Sequence, residues 1–191
     1  MPELPEVETI RRDLEKEIVG KKISDFEIRL PQRFYFGKVQ PSQAGSKLSQ
    51  KEAEKISQKI IGEEITEIRR KGKLLILLYK NWAHLIHLKL TGQLIYQASK
   101  GKFIQERHPI SDLVKNLPSK AVNFIWIFKD KSRLYFNDFR KFGYLHLVAK
   151  NQYQKLPAFE NLGPDALSSN FSLNYFQDQI KNKKTKICPY P

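Results

Sequence analysis

The residues best equipped for chemistry lie at the start of the chain, in Met1-Pro2-Glu3-Leu4-Pro5-Glu6-Val7-Glu8-Thr9. Methionine ahead of a small residue such as proline is generally removed, and its removal turns the Pro2 nitrogen into a free secondary amine. A terminal α-amino group titrates near pH ~8, well below lysine, so a useful share is neutral at pH ~7. The positive end of a following helix disfavours the protonated form further. A secondary amine that attacks a sugar aldehyde carbon gives an iminium ion, a covalent electron sink that eases loss of a neighbouring phosphate. Glu3, next in line, could pass protons to a sugar oxygen or a departing base. The same residues also make an ordinary helix start, with proline at the first turn and glutamates near the positive dipole end. The segment alone leaves both readings open.

The elements that must position these groups follow from periodicity. Val7, Ile10, Leu14 and Ile18 repeat at three and four, which predicts one amphipathic helix over 3–19 stopped by Gly20, with Pro2 at or just before its first turn. Strands are expected at Ile23–Leu30, Glu64–Arg70, Leu74–Lys80, His84–Leu90, Gln93–Gln97, Val122–Phe128, Arg133–Phe136 and Gly143–Val148. A short helix is expected over Lys51–Ile61, with loops at 38–50 and 98–120. Short strands behind one long helix give a mainly β fold with flanking helices: an N-terminal β-sandwich over 1–150. Past residue 150 the composition shifts, and Ser172 could cap a helix over Leu173–Lys181, the start of a second, unfinished domain over 151–191.

Composition narrows the partners. The chain has 191 residues and a formal net charge of +14, with 34 Lys+Arg against 20 Asp+Glu, which points to a polyanion. Aromatics stand beside the cations, as in Arg33-Phe34 and Phe139-Arg140-Lys141-Phe142, a mixture suited to phosphate contacts and base stacking. No apolar run reaches the roughly 18 to 20 residues of a membrane span, so no membrane partner is expected. Three early glutamates without an apolar core do not read as a secretory signal, and the expected location is cytoplasmic. The single Cys188 cannot form an internal disulfide. His84 and His87 stand three apart on a predicted strand and face opposite sides, so no metal site is expected.

The opening Pro-Glu-Leu-Pro-Glu-Val-Glu-Thr resembles the start of the formamidopyrimidine-DNA glycosylase and endonuclease VIII family, on its formamidopyrimidine branch. Further blocks resemble that family in the same order. They are Arg69-Arg70-Lys71-Gly72-Lys73-Leu74-Leu75, His87-Leu88-Lys89-Leu90-Thr91-Gly92-Gln93-Leu94 and Asn137-Asp138-Phe139-Arg140-Lys141-Phe142-Gly143. Leu162-Gly163-Pro164-Asp165-Ala166-Leu167 and Lys183-Lys184-Thr185-Lys186-Ile187 are similar to the start of its helical domain. The resemblance implies an N-terminal proline Schiff base at Pro2, with Glu3 as proton donor and acceptor and Glu6 in support. It implies a phosphate contact and help in β-elimination at Lys73. Leu90, Arg140 and Phe142 match the residues that fill the space of a flipped-out base, and Lys184 matches a phosphate-binding lysine. The implied activity is a glycosylase and abasic-site lyase acting on oxidised purines. Its implied partner is double-stranded DNA with oxidised bases or abasic sites, bound by a monomer.

The chain departs from the family in several places. Pro118-Ser119-Lys120-Ala121 stands where a His-x-His block is usual, Leu90 replaces a methionine, and Cys188 replaces a lysine. Against the family the sequence is read as C-terminally truncated, or as a natural minimal version, with an incomplete helix–two-turn–helix element and no zinc finger. No cofactor is therefore expected in this chain. A catalytically weak or inactive damaged-DNA-binding fragment of the same family is the alternative reading, and a basic RNA-binding protein a further one.

Overall fold

The computed structural model describes residues 2–42, 44–99, 103–104, 117–160, 162–165 and 168–181. Helix α1 spans Leu4–Ile18 and buries Val7, Leu14 and Ile18 of the predicted stripe, with its fourth member, Ile10, only partly buried against the same core. It begins one residue later than its spacing suggests, and the difference matters. Glu3 is the N-cap in extended backbone, and Pro5, not Pro2, takes the first-turn proline position. Pro2 thus lies outside the helix. Arg11 bridges Glu8 and Glu15 at helical spacing, and Gly20 turns the chain away with φ +83°.

Two five-stranded sheets face each other. The first contains β1 (Ile23–Ile28), β6 (Gln93–Gln97), β7 (Phe103–Ile104), β8 (Val122–Phe128) and β9 (Arg133–Asn137), ordered β1-β8-β9-β6-β7 and antiparallel throughout. The second contains β2 (Phe34–Phe36), β3 (Glu67–Lys71), β4 (Leu74–Leu78), β5 (Trp82–His87) and β10 (Tyr144–Ala149), ordered β2-β10-β5-β4-β3. Among the described strands only β2 runs parallel to its neighbour. Phe26, Phe124, Trp126 and Phe136 of the first sheet meet Leu75, Leu77, Ile86 and Leu145 of the second in one core. His84 sits inside that core, between the Tyr79 hydroxyl at 2.9 Å and the Trp126 indole N–H at 3.2 Å. Burial pushes it down to about 3, so it is a neutral packing residue. His87 lies on the opposite face of the strand, as the spacing predicts.

β4 is buried at every position. Its Leu75 and Leu77 point into the sandwich, while Leu74, Ile76 and Leu78 belong to a second cluster on the outer face. That outer face is covered by Tyr153, Leu156 and Phe159, from a 3-10 turn at Tyr153–Lys155 and helix α3 at Pro157–Glu160. Packing against the sandwich therefore continues past residue 150, a continuous apolar strand being the mark of a sheet covered on both sides.

Several bounds differ from the sequence reading. β2 has only three residues and owes its existence to pairing with β10, a tertiary partner that no local pattern reveals. β3 starts at Glu67, because Glu63 and Ile65 bond to Ile23 and Lys21 instead. Helix α2 starts earlier, at Gln50–Ser57, where Ser49 and Glu52 form a capping box, and it tightens to 3-10 at Gln58–Ile60. Helix α4, Leu173–Ile180, is capped by the Ser172 hydroxyl accepting from the Tyr175 N–H at 3.1 Å. Most of the 98–120 excursion lies outside the described residues. No helix among the described residues is long and apolar enough to cross a membrane.

Candidate active site

The start of α1 leaves the Pro2 nitrogen uncommitted to helix hydrogen bonding. Glu6, at the third helical position, accepts the Glu3 backbone N–H through Oε2 at 3.0 Å. The contact fixes the residue that links Pro2 to the helix, which gives Glu6 a physical supporting role.

Lys73 follows Gly72, whose φ of +56° makes the β3–β4 turn. From that turn the Lys73 ammonium pairs with the Glu3 carboxylate. Both side chains are partly exposed, 34% and 52%, so the pair faces solvent at the surface. Beneath it sits Arg70, with a side chain only 5% exposed. Its Nε donates to Glu8 of α1 at 2.9 Å, and its Nη1 donates to the Gly72 carbonyl at 3.1 Å. Its Nη1 and Nη2 also donate to the two Asp165 oxygens at 2.6 and 3.2 Å. One guanidinium thereby joins α1, the Lys73 turn and the segment after α3, and so sets Glu3 against Lys73. The Glu8 carboxylate is lowered to about 2, first by Arg11 and then by Arg70 and Arg12, against the opposing effect of its own burial.

The remaining candidates come together through strand register. Leu74, His87 and Tyr144 are cross-strand partners on β4, β5 and β10. Lys73 precedes the first of them, Leu88–Leu90 follow the second, and Arg140–Gly143 precede the third. All three segments therefore project from one end of the second sheet. Leu90 and Phe142 are exposed there, at 40% and 43%, and the Arg140 guanidinium lies 4.9 Å from the centre of the Phe142 ring. The fully buried Asp138 organises these loops. Its carboxylate accepts from the Thr91 hydroxyl, from the Gly143 N–H at 2.6 Å and from the Arg140 N–H at 3.2 Å. A Cβ on Gly92 would come 2.3 Å from the Leu88 carbonyl oxygen, so the Leu90 loop requires glycine there.

His87 stands between the two groups. Its Nδ1 accepts the Lys89 N–H at 3.1 Å. Burial, Lys89 and Lys73 together push it down to about 4, leaving a neutral ring at the foot of a cationic edge. Lys120 is exposed beside the same edge, since the Asp138 N–H donates to the Ala121 carbonyl at 2.8 Å.

Pro2, Glu3, Glu6 and Lys73 form one group, and Leu90, Arg140 and Phe142 a second beside it. Lys184 and Cys188 lie outside the described residues. Sequence reasoning passed over Arg70 and Asp138 as site residues. Each stood inside a quoted motif, but burial of a charged residue, the mark of its organising role, is not visible in a string of letters. Among the described residues no three His, Cys, Asp or Glu side chains are grouped to hold a metal ion.

Residues 1–145 match the model of the formamidopyrimidine-DNA glycosylase N-terminal domain. The formamidopyrimidine-DNA glycosylase of Bacillus cereus is 30% identical over 187 residues, and that of Bartonella quintana is 32% identical over 198. Each alignment takes in 98% of this chain and 58% of the relative, so the chain spans under two thirds of their length. The Lactococcus lactis Fpg in complex with abasic-site DNA superposes with a TM-score of 0.73 at 25% identity, over 97% of this chain and 58% of that one. The same protein in complex with DNA containing N7-benzyl-Fapy-dG gives 0.74 at 27%, over 99% and 59%. The chain belongs to the formamidopyrimidine-DNA glycosylase family.

Proposed function

We propose that this chain carries the catalytic part of a DNA base-excision glycosylase with abasic-site lyase action, directed at oxidised purines in double-stranded DNA. The observation that carries the reading is the Glu3–Lys73 pair beside Pro2, at a sheet end where Leu90, Arg140 and Phe142 stand exposed. With Met1 removed, the Pro2 nitrogen attacks C1′ of the damaged nucleotide and the base leaves with its bonding electrons. Glu3 supplies the proton that the departing base or the opening sugar oxygen requires. The resulting iminium withdraws electrons, so loss of a C2′ proton expels the 3′ phosphate, and water then frees Pro2. Lys73 holds phosphate close to Glu3. Leu90, Arg140 and Phe142 fill the space of the extruded base, whose removal from the stack costs a few kcal/mol.

In this reading residues 1–150 supply the catalytic sandwich, Tyr153, Leu156 and Phe159 cover its outer face, and a helical domain begins after them, where Lys184 adds a phosphate contact. The protein works as a monomer on cytoplasmic DNA. The test is cleavage of a duplex oligonucleotide bearing 8-oxoguanine or an abasic site, at low salt because phosphate contacts make binding steeply salt-dependent. Strand scission at the lesion is expected. Binding without scission would overturn the enzymatic reading and leave a damaged-DNA-binding module.

A further inference from the structure

Phe139 is 80% exposed, about twice the exposure of Phe142 or Leu90 on the same edge. Scattered apolar side chains at a surface need no explanation, but this one stands on a loop held from several sides. Asp138 anchors the loop from within, and the Arg33 Nε donates to the Lys141 carbonyl at 2.7 Å. Lys141 is held in left-handed backbone, with φ +55°. On Gly143 a Cβ would fall 2.6 Å from the Phe136 ring, so the end of the loop is closely packed. The loop is built to present its tip.

The two rings of that tip are in different situations. Phe142 already carries the Arg140 guanidinium against its ring. Phe139 pairs with no other ring and no cation among the described residues, and it is flanked by Arg140 and Lys141. An apolar protein surface would have to desolvate those cations, and a second copy of a chain with net charge +14 would repel them. A nucleobase satisfies both needs, because it brings a π-face for the ring and phosphates for the cations.

We propose that Phe139 is a second DNA-stacking residue of the loop, which engages an exposed base face next to the gap that Arg140 and Phe142 fill. The proposal rests on the DNA-binding part of the reading above and is independent of the Pro2 chemistry. On this account the loop grips a duplex that has lost a base with two aromatic contacts, and Phe139 favours such a duplex over an intact one.

The experiment is binding of the full chain to a duplex with an abasic-site analogue and to its intact counterpart, at several salt concentrations. Phe139→Ala is expected to weaken binding to the abasic duplex roughly tenfold. The slope of affinity against salt stays unchanged, because a lost ring releases no counterions. Phe139→Trp retains affinity, and its emission is quenched on adding the abasic duplex. Phe139→Leu falls between the two. Unchanged affinity of Phe139→Ala, or unquenched emission at saturating DNA, overturns the proposal. So does a change confined to self-association in sedimentation, which would make the ring a protein contact. Wild-type protein that fails to bind the abasic duplex at low salt overturns it as well. Quenching without a Pro2 adduct would refute the chemistry alone, and a Pro2 adduct with unchanged Phe139→Ala affinity would refute the stacking alone.

Discussion

The Glu3 carboxylate and the Lys73 ammonium form an ion pair that joins the cap of the first helix to the turn between β3 and β4. Exposed pairs of this kind contribute only ~0–1 kcal/mol to stability. Under the proposed function their placement, beside a proline outside the helix, serves the chemistry. Glu3→Gln is expected to lower strand cleavage by roughly 100-fold, the low end for loss of a general acid–base group. The unfolding midpoint in urea should stay within the small range of an exposed pair. Equal cleavage by variant and wild type would remove Glu3 from the mechanism.

Arg70 bears the opposite prediction. Its buried guanidinium serves Glu8, Gly72 and Asp165 at once. Arg70→Met should cost about 2 kcal/mol in urea unfolding, because it removes charge-assisted hydrogen bonds from two half-buried carboxylates, Glu8 and Asp165. Arg70→Lys should recover only part of that, since an ammonium cannot reproduce the planar fork. A neutral Arg70→Met would show that the hub does not organise the site.

Asp138 links the wedge loops to the sheet. Asp138→Ala leaves the Gly143 N–H and the Thr91 hydroxyl without their acceptor, at about 2 kcal/mol. Affinity for an abasic duplex should fall by more than the stability loss explains, because Leu90, Arg140 and Phe142 are no longer pre-arranged. Limited proteolysis should open the loop at Arg140 or Lys141. Full affinity with an opened loop would count against pre-arrangement.

Acid should destabilise the protein in two stages. His84 and His87 have folded values near 3 and 4, below the ordinary 6.5, so the unfolded chain binds protons first. Stability is complete above about pH 6.5 and declines as pH falls toward those folded values. Glu8 adds a loss that begins near 4.5 and continues to about 2. Urea midpoints across pH for wild type and His84→Gln check this. The variant keeps a hydrogen-bonding side chain in the core and should show a shallower slope between pH 6.5 and 4.

Much of the fold was legible from the chain alone, for identifiable reasons. Helix α1 was found from Val7, Leu14 and Ile18 because one face of it is buried and the other is not. β8 and β9, buried on both faces, were legible for a different reason: the polar turn at 129–132 separates two apolar runs. β2 escaped because three residues carry no period. The sequence leaves Pro2 at or just before the first turn, because it does not show which of two nearby prolines occupies that turn, and Pro5 does. The family motifs named Lys73, Leu90, Arg140 and Phe142. Only register shows that Leu74, His87 and Tyr144 align to bring them to one edge.

The central claim is that the Pro2 nitrogen is the nucleophile. It is tested most directly by borohydride reduction during incubation with an abasic-site duplex, followed by peptide mass analysis of the adduct. The account predicts a covalent protein–DNA species whose modification maps to an N-terminal peptide that begins at Pro2, and its loss in Pro2→Gly. An adduct mapped to a lysine, or none from protein that binds the duplex and has lost Met1, would contradict it.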